Sequence, residues 1–340
     1  MRKIIAEKIQ QGWSEPNILT YLLLPLSLLY SMIIKLRKAF YKKGLFDVYK
    51  ARVPVLIVGN VSVGGTGKTP LTMAIVKRAR TLGFKPGVIS RGYGGQALEW
   101  PQLVLPETSA HFVGDESVLI AHTTGCPVVV GPNRGKAIDL LLSEHDCDLI
   151  ISDDGLQHYA LARNAEIVVI DQQRRHLNNF CLPAGPLRET QKRLKTVDLV
   201  MNHVAPVERS NDDDFNSSTE NMFRLQHKGL KCVIDHKQTE LPENMTVHAV
   251  AGIGHPARFF LQLRALGFNV VEHAFADHHR YSPDDFDFAG DECVIMTAKD
   301  AVKCVAFAKP EWYYLAVEVG LNLTATENIN QLLKQLKRNN

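Results

Sequence analysis

The residues of this chain that could do chemistry crowd into a few short stretches, and the densest is Gly64-Gly65-Thr66-Gly67-Lys68-Thr69. Glycines let successive backbone N–H groups turn toward one point. A lysine beside them supplies positive charge, and a threonine hydroxyl is a hard oxygen donor for a divalent cation. These residue types together suit a nucleoside triphosphate and its Mg²⁺. The apolar run Val55-Leu56-Ile57-Val58 ahead of them reads as a strand, and Leu71, Ile75, Ala79 and Leu82 behind them fall at helical spacing. Pro70 fits the first turn of that helix, where its missing N–H costs nothing. Strand, glycine loop and helix N-terminus are the parts of a phosphate-binding P-loop. Ser62, Val63, Gly64, Gly65, Thr66, Gly67, Lys68 and Thr69 are its expected nucleotide contacts. The strict pattern G-x-x-x-x-G-K-[ST] fails only at Ser62, and the flanking strand and helix supply the confirming context.

A second apolar run, Leu149-Ile-Ile-Ser, ends in Asp153-Asp154. An acid at a strand tip opposite a P-loop holds Mg²⁺ directly or through water. Gln157 and His158 follow closely enough to line the same crevice. Asp115, in Gly114-Asp115-Glu116, has two readings: a helix cap, or a general base approaching the γ-phosphate. Asp277-His278-His279 reads as an Asp–His proton relay, metal ligands or solvated loop histidines. Adjacent histidines on a strand point to opposite faces, which disfavours one metal taking both. Arg91, Arg134, Arg188 and Lys299 each adjoin a turn and are phosphate clamps or surface charges.

The elements that must position these groups alternate. Strands are expected at Val55–Val58, Gly87–Ser90, Pro127–Val130, Leu149–Ser152 and Ile167–Ile170, with helical patterns between some of them. Continuous apolar strands of this kind belong to a parallel sheet with helices on both faces. A second alternation, Val197–Asn202, Val247–Ala251, Val270–Glu272, Val294–Thr297 and Trp312–Val319, implies a second, smaller α/β lobe. The stretch 209–220 is polar and reads as a loop. The expected division is an N-terminal segment 1–50, a nucleotide-binding domain 51–175, a second lobe 176–320 and a C-terminal helix 321–340. The 340 residues are 45% hydrophobic and 22% charged with a formal net charge of +3, so overall charge gives no support to a nucleic-acid partner. The six cysteines show no C-x-x-C spacing and read as reduced thiols.

Residues Ile18–Ile34 are almost continuously apolar and carry basic flanks, including Lys35, Arg37, Lys38, Lys42 and Lys43. A spanning helix needs about 20 apolar residues. This run is shorter and contains Pro25, Thr20 and two serines. Its basic flanks and Tyr21, Tyr30, Phe40 and Tyr41 suit a segment lying in the headgroup region or dipping shallowly, with a buried core helix and a full span as the two other readings.

Taken together, the motifs resemble the tetraacyldisaccharide 4′-kinase family, the lipid A 4′-kinases of Gram-negative bacteria. The stretches that carry the resemblance begin with Gly59-Asn-Val-Ser-Val-Gly-Gly-Thr-Gly-Lys-Thr-Pro, Ser90-Arg-Gly-Tyr-Gly-Gly and Val113-Gly-Asp-Glu. They continue with Ser152-Asp-Asp-Gly-Leu-Gln-His, Pro183-Ala-Gly-Pro-Leu-Arg-Glu, Ala276-Asp-His-His and Thr297-Ala-Lys-Asp-Ala-Val-Lys. The family's loop has the same Gly-Asn-x-Ser-x-Gly-Gly form, so Ser62 is no defect. The resemblance implies ATP-dependent phosphorylation of the 4′-hydroxyl of a tetraacylated glucosamine disaccharide 1-phosphate. It implies two α/β lobes and a membrane-associated N-terminal helix at the cytoplasmic face of the inner membrane, with no obligate protein partner evident. It further implies that Lys68 holds the β- and γ-phosphates and Thr69 binds Mg²⁺, supported by Asp153, Asp154 and Glu116. Asp115 becomes the general base, oriented by His278 from the other lobe. Arg91, Arg134, Gln157, His158, Arg188 and Glu189 become contacts to phosphates or sugar. Two departures stand out. Ala298 replaces the family's usual Glu, which leaves any role of that Glu without a bearer. Leu156 replaces the usual aromatic, a packing change. Three rivals fit less well. Membrane-associated ATPase switches carry a lysine where this chain has Val63. GTPases place the lysine of their guanine motif differently from Thr297-Ala-Lys-Asp. A metal-delivery NTPase lacks supporting cysteine spacing.

Overall fold

A computed structural model describes residues 2–172, 177–204 and 212–338. The chain opens with helices α1 (Arg2–Ser14), α2 (Ile18–Leu22) and α3 (Leu24–Lys42). Strand β1 (Val55–Asn60) leads to α4 (Lys68–Thr81) and β2 (Pro86–Ser90). The short β3 (Gln102–Leu103) precedes α5 (Ala110–Val113), α6 (Asp115–Thr124), β4 (Val128–Val130) and α7 (Arg134–Glu144). Then come β5 (Leu149–Asp153), β6 (Ala165–Asp171) and β7 (Leu199–His203). The remaining elements are α8 (Asp212–Ser217), β8 (Met222–Cys232), β9 (Gln238–Thr239), β10 (Thr246–Ala251), α9 (Pro256–Ala265) and β11 (Asn269–Ala274), followed by β12 (Val294–Thr297), α10 (Ala298–Cys304), β13 (Trp312–Leu321) and α11 (Leu323–Arg338). The architecture is mixed α/β with mostly parallel strands.

The contacts divide the chain into two compact units. Unit 1 is Met1–Ile89, Leu142–Arg224 and Gly320–Asn340, and unit 2 is Ser90–Leu141 and Leu225–Val319. This corrects the consecutive division at 50, 175 and 320. The segment holding α5, α6 and α7 groups with the later strands because α6 packs on α10, and no local pattern in the sequence reports such a pairing.

In unit 1 the parallel strands run in the order β7, β6, β1, β5, β2. Every residue of β1, β2 and β5 is buried. Burial of both alternating faces requires cover on both sides, which explains the unbroken apolar runs. Helix α11 belongs here too: Lys337 Nζ donates to the Leu82 carbonyl at 2.9 Å, and Arg78 of α4 bonds Asn330. In unit 2 the parallel order is β11, β10, β12, β13. The two faces separate by residue parity. Val247, Ala249, Ala251 and Ile295 pack with Phe259, Phe260 and Leu263 of α9. Val250, Val294 and Met296 pack with Phe286, Trp312, and Ala301 and Cys304 of α10. Residues 212–217, expected within a polar loop, form α8, and 205–211 and 173–176 lie outside the described residues. The six cysteines are free.

Candidate active site

The glycine loop of unit 1 is a bend between two buried elements. Val58 pairs with Asp153 across β1 and β5, so the strand that feeds the loop carries the first carboxylate beside it. Gly59 allows that approach, because a Cβ there would come within 2.6 Å of the Leu156 Cβ. Gly67 closes the loop at φ +90° and caps α4; a Cβ would press on the Phe223 ring at 3.2 Å and the His203 ring at 3.1 Å. Those two rings stack at 4.8 Å and 11°. The first half of the loop is braced by the Pro183–Glu189 stretch: Val63 N–H donates to the Pro186 carbonyl at 2.9 Å, and Arg188 N–H donates to Val61 at 2.7 Å. Asn60 Nδ2 donates to the Thr66 hydroxyl at 3.0 Å.

Asp153 is 1% exposed and accepts from the Thr69 hydroxyl at 3.3 Å and the Thr72 hydroxyl at 2.8 Å. Asp154, in the left-handed region at φ +48°, turns elsewhere. Both of its oxygens accept from Arg188 Nη1 at 3.1 Å, and Lys68 Nζ lies 3.7 Å away. Gln157 Nε2 donates to the Asn60 carbonyl at 3.0 Å and to Glu189 at 2.9 Å, tying two expected sugar contacts into the loop's support. His158 is half-buried just after Gln157.

Unit 2 holds the second cluster. Asp115, the first residue of α6, is 5% exposed, and both its oxygens face His278 Nδ1, at 3.2 and 3.1 Å. His278 sits at φ +60° after β11, with the Tyr93 ring beside it at 5.2 Å. Lys299 Nζ, in α10, reaches Glu116 at 3.3 Å, Asp277 at 3.4 Å, His278 Nε2 at 3.4 Å and Asp115 at 3.9 Å. Burial pushes the Asp115 carboxyl up, but the His278 hydrogen bond and the Lys299 ammonium outweigh it and hold it below its ordinary value. The same hydrogen bond raises the His278 imidazole against burial and Lys299. Burial would lower Lys299, yet Glu116, Asp115 and Asp277 hold it above its ordinary value. The resting proton of the pair therefore belongs to the imidazole. The reading of His278 as coming from a different lobe than Asp115 is corrected, since both lie in unit 2.

The structure thus brings Lys68, Thr69, Asp153, Asp154, Gln157, Arg188 and Glu189 around the loop of unit 1. It brings Asp115, Glu116, His278 and Lys299 together in unit 2. Of the expected metal contacts, Thr69 meets Asp153 and Asp154 meets Arg188 in unit 1, while Glu116 meets Lys299 in unit 2. Arg91 is exposed directly after β2. Arg134 is 2% exposed at the start of α7 and donates to the Gly131 carbonyl at 2.9 Å. His279 pairs with Asp285 at 3.2 Å.

The family model described as tetraacyldisaccharide-1-P 4′-kinase matches residues 19–337. The chain belongs to the tetraacyldisaccharide 4′-kinase family. It is 44% identical over 327 residues to the tetraacyldisaccharide 4′-kinase of Nitrosococcus oceani, covering 96% of this chain and 94% of the relative. It is 46% identical over 311 residues to that of Pasteurella multocida, covering 91% and 93%. Among solved structures it is similar to "apo" form LpxK from Aquifex aeolicus in complex with ATP, with a TM-score of 0.77 and 27% identity over 94% of this chain and 99% of the other.

Within this kinase chain several site residues escaped the motif reading. Thr72 lies one helical turn beyond Thr69, and that i, i+3 spacing of hydroxyls was the available signal. Tyr93 sits inside the Arg91-Gly-Tyr-Gly-Gly stretch, but only folding brings its ring to His278. His203 and Phe223, which form the wall behind Gly67, carry no local signal.

Proposed function

We propose that this kinase transfers the γ-phosphoryl group of ATP to the 4′-hydroxyl of a tetraacylated glucosamine disaccharide 1-phosphate, a step of lipid A biosynthesis. The observation that carries the reading is the pair of clusters just described, a P-loop backed by a buried strand-tip carboxylate and a buried Asp–His pair, in a chain whose family match runs from 19 to 337.

Backbone amides of the loop and the N-terminus of α4 bind the phosphates. Lys68 neutralises the β- and γ-oxygens, moving from Asp154 toward the greater negative charge. Thr69 and Asp153 are the residues that fit Mg²⁺: a hydroxyl and a carboxylate, both hard oxygen donors, already 3.3 Å apart. The ion, when bound, offsets charge on the β- and γ-phosphates. Asp154 orients Arg188 toward the phosphates. Asp115 accepts the proton of the 4′-hydroxyl, and His278 holds it in line and shares that proton, while Lys299 keeps the carboxyl ionised. Phosphoryl transfer needs positioning and charge neutralisation more than covalent catalysis, which matches residues of these types. Arg91, Arg134, Gln157, His158 and Glu189 act on sugar or phosphate, directly or by supporting the residues that touch them.

The enzyme works at the cytoplasmic face of the inner membrane, held there by α2 and α3. No helix among the described residues is long and apolar enough to cross a membrane. The helices are instead inside out. Thr20 and Ser27 are buried, with Ser27 Oγ donating to the Cys181 carbonyl at 2.6 Å, while Ile18, Leu22 and Leu28 are 81%, 70% and 71% exposed. An apolar face left in water on a helix with a polar seam inward supports a segment lying in the interface.

The test is transfer of ³²P from ATP to a tetraacyl disaccharide 1-phosphate by purified protein in detergent. Lipid-dependent transfer is expected. Robust ATP hydrolysis indifferent to the lipid would overturn the proposal.

A further inference from the structure

Unit 1 contains a cavity of about 590 Å³ at the C-terminal end of α3, away from the glycine loop's own lining residues. Lys38, Lys42, Tyr159, Arg163 and Arg193 contribute to its wall. The carboxylates there are largely committed. Glu166 accepts from Arg163 Nη1 at 3.0 Å and also from Arg193, and Asp198 accepts from the Glu166 backbone N–H at 2.8 Å. Glu189 lies 3.9 Å from Lys38 and 3.5 Å from Arg193. Arg37 adds a further guanidinium, 5.7 Å from the centre of the Tyr159 ring. The lining thus sets four cations, Lys38, Lys42, Arg163 and Arg193, against two carboxylates, Glu166 and Asp198, with the Arg163 guanidinium spent also on the Leu156, His158 and Leu161 carbonyls.

We propose that this cavity binds a phosphate group, that of an anionic phospholipid headgroup. One feature of the wall asks for such an occupant: Lys38 and Lys42 lie on it beside the Arg163 and Arg193 guanidiniums, at the end of α3. The Tyr159 hydroxyl, buried in the same wall, is engaged by the Glu189 carboxylate. Burial and the nearby Glu189 push its phenol pKa up, so it stays protonated. Lys38 is pushed below the ordinary lysine value by burial and by the Arg193 guanidinium, a strain that an incoming anion relieves. The assignment to a lipid rests on the membrane-surface reading of α2 and α3. Lys38 and Lys42 are one turn apart on α3, the helix that leaves Ile33, Leu36 and Phe40 exposed. A helix whose apolar face enters the interface carries the lysines of its last turn to headgroup depth. The cavity would then set the depth and rotation of the enzyme on the membrane, a separate task from binding the acylated substrate.

The test uses the full chain. Binding is measured to vesicles of phosphatidylcholine with and without phosphatidylglycerol, and by calorimetry to a short-chain phosphatidylglycerol below its micelle concentration and to inorganic phosphate. The double variant Lys38→Gln/Lys42→Gln should lose binding of the short-chain lipid and weaken binding to the mixed vesicles about ten-fold or more. Lys35→Gln/Lys43→Gln removes the same charge from exposed positions and should leave short-chain binding unchanged. Equal losses in both double variants would mean diffuse attraction and overturn the site. Inorganic phosphate binding as tightly as the short-chain lipid would overturn the lipid assignment. ³²P transfer in phospholipid-free detergent should survive in Lys38→Gln/Lys42→Gln, and its loss would overturn the cavity's separation from the active site. The short-chain measurement reads the cavity alone, so failure of every form to bind vesicles counts against the membrane reading instead.

Discussion

In its proposed role of base Asp115 is poor by itself, since its carboxyl lies below the ordinary range, and better as half of a pair. The pair's proton rests on His278, so the form proposed to accept a hydroxyl proton is the pair with a neutral imidazole. Lys299 sets the balance from 3.9 Å, keeping Asp115 ionised. Asp115→Asn keeps the shape of the site and removes the acceptor. Its kcat should fall by roughly 10²–10⁴-fold, while KM for ATP changes little, because the loop that binds the nucleotide is in the other unit. Steady-state kinetics with saturating lipid checks this. A normal kcat with a raised KM would remove Asp115 from the chemistry. The residue-type argument from sequence left Asp115 divided between a cap and a base. The cap position falls to Gly114 and no side chain caps the helix; Asp115 is its first residue, with its side chain held by His278 and accepting from the Glu116 N–H at 2.8 Å.

At the scale of elements, α1 and α3 connect the N-terminal helices to the support of the glycine loop. Tyr30 of α3 donates to the Arg188 carbonyl at 3.2 Å, and Trp13 of α1 donates to Pro183 at 3.1 Å. The Pro183–Glu189 stretch in turn braces the glycine loop. The helices are thus docked on the support of the P-loop rather than tethered at a distance. Replacing Ile18, Leu22 and Leu28 by serine should leave the fold intact, since these side chains are exposed. Each lost apolar side chain removes about 1 kcal/mol of interfacial burial, so vesicle affinity should fall ten-fold or more. Vesicle sedimentation of the triple variant, with circular dichroism to verify folding, makes the comparison. Affinity equal to wild type would reject this face as the membrane contact. Thr20 and Ser27, two of the polar residues that made Ile18–Ile34 look like a poor span, turn out to be buried, Thr20 in α2 and Ser27 in α3.

For the whole molecule, the Asp115–His278 pair ties stability to pH. His278 has its folded pKa above the ordinary 6.5, so its contribution is complete below about 6.5 and is lost as pH rises through the raised value. Asp115 has its folded pKa below 3.8, so its contribution is complete above the ordinary carboxylate range and is lost as pH falls through the lowered value. The stability gap between wild type and Asp115→Asn should therefore be widest near pH 5–6, on the order of 1–3 kcal/mol or a few degrees of Tm, and narrow toward pH 9. Thermal melts across that range test it. A gap independent of pH would show that the pair is not ionic in the folded state.

The amino-acid order alone determined what was local. The runs Val55–Val58 of β1 and Leu149–Ile151 of β5 are unbroken apolar sequence because both faces of these strands are covered. The glycine loop is legible because backbone that must curve around phosphate tolerates few residue types. The Asp153-Asp154 pair was visible as a strand tip, but its split, one carboxylate toward Thr69 and Thr72 and the other toward Arg188, depends on the φ of +48° at Asp154, which composition does not report. Tertiary structure alone decided the rest. It joined 90–141 to 225–319 because α6 found α10. It brought Asp115 to His278 across 163 residues, and placed the His203–Phe223 stack behind Gly67. Contacts between distant segments depend on which apolar faces remain after each element has formed, and no periodicity within a single element carries that information.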